Sequence, residues 1–215
     1  MAIRDAVMET PPKAAWMIVA DLITRDVRAG VFAPGTWLKQ IDLETRYACG
    51  RPNVRRALDY LTQKRLVQHV PNRGYHVFMP DSDQTAHILE LRVTLETAAV
   101  DSIVARASPA AVERIRDRAR LFDDMIVHGT ILDQYEANLA FHHELLGLCP
   151  NPELINLVAE LRGRTSSALA GQWSTRARIE QSGREHHAMV DALAAGNVSR
   201  LKEIIALHIR QPQRT

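Results

Sequence analysis

The sequence predicts a mainly α protein in two parts. The first is a winged helix-turn-helix of three helices and a β-hairpin, and the second is an all-α antiparallel bundle of six or seven helices. The order of elements up to residue 78, the capped helical segments that follow, and an uneven division of charge predict it. Residues 1–80 hold 12 Lys and Arg against 7 Asp and Glu, a balance of +5, whereas residues 81–215 hold 15 against 18, a balance of −3. A basic first third suits a polyanionic partner, although chance clustering gives the same picture. Hydrophobic residues make up 46% of the 215, enough for a packed core, so disorder is not expected.

Residues 14–29 repeat apolar side chains at helical spacing. Ile18, Leu22 and Val27 lie near one face, with Trp16 and Ile23 beside it. Gly30 ends this helix and Pro34-Gly35 marks a turn. Residues 40–48 form a short second helix, closed by Gly50. Residues 51–64 form a third, with Pro52 in its first turn and Val54, Leu58 and Leu61 as its apolar stripe. In residues 66–78, Val67, His69, Tyr75 and Val77 alternate around Pro71-Asn72-Arg73-Gly74, which predicts a hairpin. Residues 79–86 are polar and read as a linker. Helices are expected over 85–106, 109–127, 130–148, 152–170, 175–195 and 198–210. Ser108-Pro109 and Asn151-Pro152 each place a capping side chain before a proline at the first helical position.

A recognition helix enters the major groove with its first residues toward the bases. Here those residues are Arg51, Asn53, Arg55 and Arg56. Arginine grips guanine or phosphate, and asparagine grips adenine. Arg51 and Arg55, four apart, share a helix face. The tip Arg73-Gly74-Tyr75-His76 is placed to reach a phosphate or the minor groove, with Gly74 allowing close approach. The plain alternative is an arginine-rich solvated helix.

The stretches GVFAPGTWL (30–38), DLETRYACGRPNVRRAL (42–58) and LVQHVPNRGYHV (66–77) resemble the N-terminal domain of the GntR family of regulators. The resemblance implies that Arg46, Arg51 and Arg55 contact DNA, with Arg73 and Gly74 in the wing. Two departures stand out. Gly50 replaces a serine that would cap the recognition helix, and Pro52-Asn53 stands where Thr-Pro is common.

In the second part, His142, His186 and His208 fall on three different predicted helices, and Asn138 lies one turn before His142. Three imidazoles and an oxygen would suit Zn²⁺, Ni²⁺ or a similar ion. Taken singly, each histidine also fits a surface or hydrogen-bonded role. The pieces ILELRVTLETAAV (88–100), NLAFHHELL (138–146), NPELINLVAELR (151–162) and EHHAMVDALAAGNVSRLKEIIALHI (185–209) resemble the FCD ligand-binding domain of the FadR-type subfamily of GntR regulators. That resemblance implies a metal held by Asn138, His142, His186 and His208, with Asn138 departing from the usual Asp. Zn²⁺ leads, with Ni²⁺ or Mn²⁺ as alternatives. It also implies a small carboxylate effector, which would restore the missing negative charge. Arg92 matches a family arginine. It either clamps that carboxylate or pairs with Glu96 one turn on. Glu185, His187 and His143 are expected, by helical geometry, to point away from the centre, either standing behind the ligands or facing solvent.

The expected function is therefore a ligand-responsive, DNA-binding transcription regulator, a repressor. It would act as a homodimer on a pseudo-palindromic double-stranded operator. The expected boundaries are 10–79 for the DNA-binding domain, 80–85 for the linker and 86–212 for the FCD domain. A regulator with a metal-free apolar effector pocket remains open, as does a metal-dependent enzyme. The sequence offers no HExxH motif and no evident nucleophile with a base, so an enzyme is not expected. Cys49 and Cys149 lack CxxC spacing, no apolar run reaches membrane length, and no signal-peptide pattern opens the chain. A cytoplasmic location without membrane contact is expected.

Overall fold

The computed structural model describes residues 13–79, 81–165 and 175–210. The chain opens with α1 (Ala15–Arg28), β1 (Trp37–Leu38), α2 (Gln40–Arg46), α3 (Arg51–Gln63), β2 (Val67–Val70) and β3 (Gly74–Val77). The predicted stripe of α1 is shifted. Val19, Ile23 and Val27, at i, i+4 and i+8, are buried, whereas Ile18 is 48% exposed. In α3 the expected Val54, Leu58 and Leu61 are buried, and they close a small core with Leu38, Val67, Tyr75 and Val77.

The hairpin pairs Val67 with Val77 and Val70 with Gly74, in antiparallel register. Gly74 has φ +105°, a conformation that a side chain would strain, so glycine at the wing tip is a backbone requirement. β1 is an addition to the predicted order. It pairs Trp37 with His76 and makes a three-stranded sheet in the order β1-β3-β2. Two residues are too short to show a period in sequence, and their partner lies almost forty positions on.

Seven helices follow among the described residues: α4 (Ser82–Ala98), α5 (Val100–Arg106), α6 (Pro109–His128), α7 (Ile131–Leu146), α8 (Pro152–Thr165), α9 (Arg176–Ala194) and α10 (Val198–Arg210). The single helix expected over 85–106 is two, interrupted at Ala99. It also begins earlier, because the Asp81 side chain accepts from the Gln84 amide and caps it. Ser108 caps α6 by accepting from the Ala111 amide, and Asn151 accepts from the Glu153 and Leu154 amides at the start of α8. Thr130 and Asp133 form a reciprocal capping box on α7. Predicted residues 166–170 of the eighth helix lie outside the described residues, as do 10–12, 80 and 211–212 of the expected boundaries.

α7 and α9 both pack on α6, while α10 packs on α9 and α4. Their shared core includes Ile115, Phe141, Val158, Val190 and Leu201, all fully buried. Phe141 also stacks on His186, with ring centroids 4.0 Å apart. Phe141→Ala is expected to cost about 3–5 kcal/mol, from lost transfer energy plus the cavity left behind. The urea-unfolding midpoint measures it. No helix among the described residues is long and apolar enough to cross a membrane.

Candidate functional site

His142 on α7, His186 on α9 and His208 on α10 converge inside the bundle. They are 6%, 0% and 4% exposed, and their nearest ring nitrogens all lie within 4.8 Å of one another. The Nε2 atoms of His142 and His208 are 3.1 Å apart. Asn138, also buried, lies one turn before His142 on α7. Its Oδ1, and both ring nitrogens of His186, have no hydrogen-bond partner among the described residues. Leaving such groups buried and unsatisfied costs about 1–3 kcal/mol each. The helices thus bring together the four residues singled out in the sequence.

Burial holds all three imidazoles below the usual histidine range, His142 and His186 well below it. The positive charge of Arg162 pushes in the same direction. The rings are therefore neutral at neutral pH, with lone pairs available to a cation.

Beside the histidines lies a buried charge triad. Arg92 donates from Nε to Glu96 at 3.0 Å, and Arg162 donates from Nη2 to the other oxygen of Glu96 at 2.5 Å. Of the two roles open to Arg92 in sequence, the ion pair is the one formed. Burial opposes the charge on Glu96, but Arg162 and Arg92 outweigh it and lower its pKa. Burial brings Arg162 down to about 10, so it stays charged at neutral pH. Two positive charges therefore face one negative charge. The adjoining small cavity is lined by Glu96, His142, Leu145, Met189, Ile205 and His208. Sequence reasoning missed Arg162. Its only signal was an arginine one turn after the apolar Leu154–Val158 stretch, which a solvated helix end explains equally well.

Glu185 stands behind a ligand candidate, on the neighbouring helix: its Oε2 accepts from Nδ1 of His208 at 2.7 Å. Adjacent helical residues diverge by about 100°, which a glutamate side chain can span when the partner helix approaches from the side. His143 is exposed, and His187 pairs with Asp123 at 2.6 Å on the outside of the bundle. Glu144, next to His143, pairs with Arg114 of α6 at 3.1 Å.

In the head, Arg51, Arg55 and Arg73 are exposed, and Asn53 is half-buried at the start of α3. Arg51 makes one long contact, 3.3 Å to Gln40. Arg46 is committed to Asp26 at 2.6 Å, and Arg56 lies over the Trp16 ring at 4.7 Å. Arg73 lies over Trp37 at 4.9 Å, close to Gly74, and His76 donates from Nδ1 to the Val77 carbonyl at 3.0 Å.

Comparison with known proteins agrees with this two-part architecture. Residues 18–77 match the bacterial regulatory proteins of the gntR family, and residues 87–211 match the FCD domain. The chain is 28% identical over 192 residues to an uncharacterized HTH-type transcriptional regulator, BphR, of Paraburkholderia xenovorans, covering 86% of this chain and 78% of that one. It is 24% identical over 202 residues to the HTH-type transcriptional repressor GlaR of Escherichia coli, covering 88% and 90%. Its fold matches a GntR regulator structure from Rhodococcus sp. RHA1 with TM-score 0.80 at 22% identity, over 93% and 95% of the chains. It matches Escherichia coli McbR/YncC with TM-score 0.79 at 18% identity, over the same shares. These relatives are regulators rather than enzymes. The chain belongs to the gntR family of bacterial regulatory proteins and is a transcriptional regulator with an FCD domain.

Proposed function

We propose that this regulator is a repressor which binds a pseudo-palindromic double-stranded operator as a homodimer and responds to a small carboxylate held at a divalent metal in its helical bundle. Residues 10–79 form its DNA-binding domain, 80–85 its linker and 86–212 its effector-binding and dimerisation domain. The observation that supports the metal is the buried cluster of His142, His186 and His208, with the Asn138 oxygen and the His186 nitrogens left unpartnered. Three neutral imidazoles and an amide oxygen fit Zn²⁺, and Ni²⁺ or Mn²⁺ accept the same donors.

When bound, the metal supplies a positive charge that a carboxylate can ligate. Arg92 and Arg162 bring two guanidinium groups to Glu96 beside the histidines. In this reading a carboxylate at the metal exchanges for Glu96 as the partner of Arg92, whose guanidinium otherwise pairs with Glu96. Effector occupancy acts on the DNA heads only through different affinities for two arrangements of the bundle. The apolar wall of Leu145, Met189 and Ile205 favours, as a second reading, an apolar effector held without metal.

The test uses an operator fragment selected from random DNA and followed by fluorescence anisotropy. A panel of hydroxy acids and sugar acids is titrated into Zn²⁺-loaded protein and into protein kept in chelator. One carboxylate is expected to change the apparent DNA affinity about 5- to 150-fold in the loaded protein. The same change in chelator would overturn the metal's role. A response to an apolar ligand alone would favour the second reading.

A further inference from the structure

A half-buried carboxylate stands directly behind the histidine cluster. Glu185 sits one residue before His186 on α9, yet it serves the histidine of the neighbouring helix α10. Its Oε2 accepts from Nδ1 of His208 at 2.7 Å. Arg178 grips both oxygens of Glu185 from the first turn of α9, at 3.1 Å each, and Gln181 donates to Oε1 at 3.1 Å. Glu185 is therefore held from two sides and does not swing freely.

We propose that Glu185 is a positioning residue, which fixes the His208 ring with its Nε2 lone pair toward the centre and supplies through that ring the negative charge that Asn138 does not. The proposal rests on the metal site proposed above. The Arg178 guanidinium donates to both Glu185 oxygens, a two-point contact that a carboxylate makes in its ionised form. An ionised carboxylate only accepts, so the proton of the neutral His208 ring must lie on Nδ1. Nε2 then carries the lone pair, and it faces the cavity and Nε2 of His142, 3.1 Å away. A carboxylate behind a ligating imidazole also raises its basicity toward a metal. Asn138 leaves the four inner residues without any formal charge. The carboxylate one ring further out offsets part of the metal's charge.

Two variants separate orientation from charge. Glu185→Gln keeps an acceptor for Nδ1 but removes the charge, and Glu185→Ala removes both. The His208 tautomer is read by long-range ¹H–¹⁵N correlation in metal-free protein. Zn²⁺ affinity is read by competition with a chromophoric chelator. The wild type is expected to carry its proton on Nδ1. Glu185→Ala is expected to lose that preference. Glu185→Gln is expected to keep it and still bind Zn²⁺ about 10- to 100-fold more weakly. Should the alanine variant fail to fold, the glutamine variant carries the test through its Zn²⁺ affinity. The proposal is overturned by a Glu185→Gln affinity within twofold of wild type, or by a wild-type His208 proton on Nε2. A wild type that takes up no Zn²⁺ removes the metal site itself. The Nδ1 tautomer would then mark Glu185 as a structural partner of His208 and nothing more.

Discussion

Protein purified without chelator is expected to carry nearly one divalent metal ion per chain by mass spectrometry, and the variant His142→Ala/His186→Ala/His208→Ala to carry none. The expectation follows from what the folded chain otherwise leaves unsolved. His186 is fully buried between Phe122 and Phe141, with neither ring nitrogen hydrogen-bonded among the described residues. Burying an imidazole so completely without a partner costs free energy that an apolar side chain of similar size would not. A cation bound by its lone pair removes that cost. Metal binding also stabilises the native state by mass action, about 4 kcal/mol when the free ion is at a thousand times its dissociation constant. Adding chelator should therefore lower the thermal midpoint of the wild type by several degrees and leave that of the triple variant unchanged. Absence of metal from both proteins would remove the site. It would also turn the search for an effector toward ligands of the apolar wall formed by Leu145, Met189 and Ile205.

The parts of this molecule that could be read from sequence are those in which local chemistry and tertiary packing agree. The helix starts at Pro109 and Pro152 were readable because Ser108 and Asn151 satisfy the first amides before any packing occurs. The convergence of Asn138, His142, His186 and His208 was readable through family resemblance, since the helical period alone leaves each histidine free to be a surface residue. The failures share a different origin. Of the expected α1 stripe, Val27 and the neighbouring Ile23 are buried but Ile18 is not, because an apolar helix offers adjacent candidate faces and only docking against α3 selects the one through Val19. The break at Ala99 carries no glycine or proline. β1 exists because β3 offers it an edge. Arg162 and Glu185 gain their roles from Glu96 and His208, residues 66 and 23 positions away. No local pattern encodes such a pairing.

Replacing Arg51 and Arg55 together with alanine is expected to abolish measurable operator binding, whereas Arg56→Ala should weaken it less than about threefold. The sequence offered these arginines as equals, and the structure ranks them. Arg56 leans over the Trp16 ring on α1, so its guanidinium is directed toward the domain's own surface. Arg46 spends its charge on Asp26. Arg51 and Arg55 are exposed at the start of α3, along the edge of the stripe whose centre is the buried Val54 and Leu58. That exposed edge can enter a major groove without disturbing the core. Each arginine that reads a base is worth roughly 10- to 100-fold in affinity, so the double variant loses the product when the two act independently. Arg73 at the wing serves as the contrast. If it meets a phosphate, Arg73→Ala weakens binding to all sequences alike and lowers the slope of log affinity against log salt by about one. Fluorescence anisotropy over a range of salt concentrations distinguishes the two effects. A double variant that binds like the wild type would show that α3 is not the reading helix. A loss of affinity in Arg56→Ala as large as in the double variant would mean that Arg56 leaves Trp16 on DNA and joins the reading face.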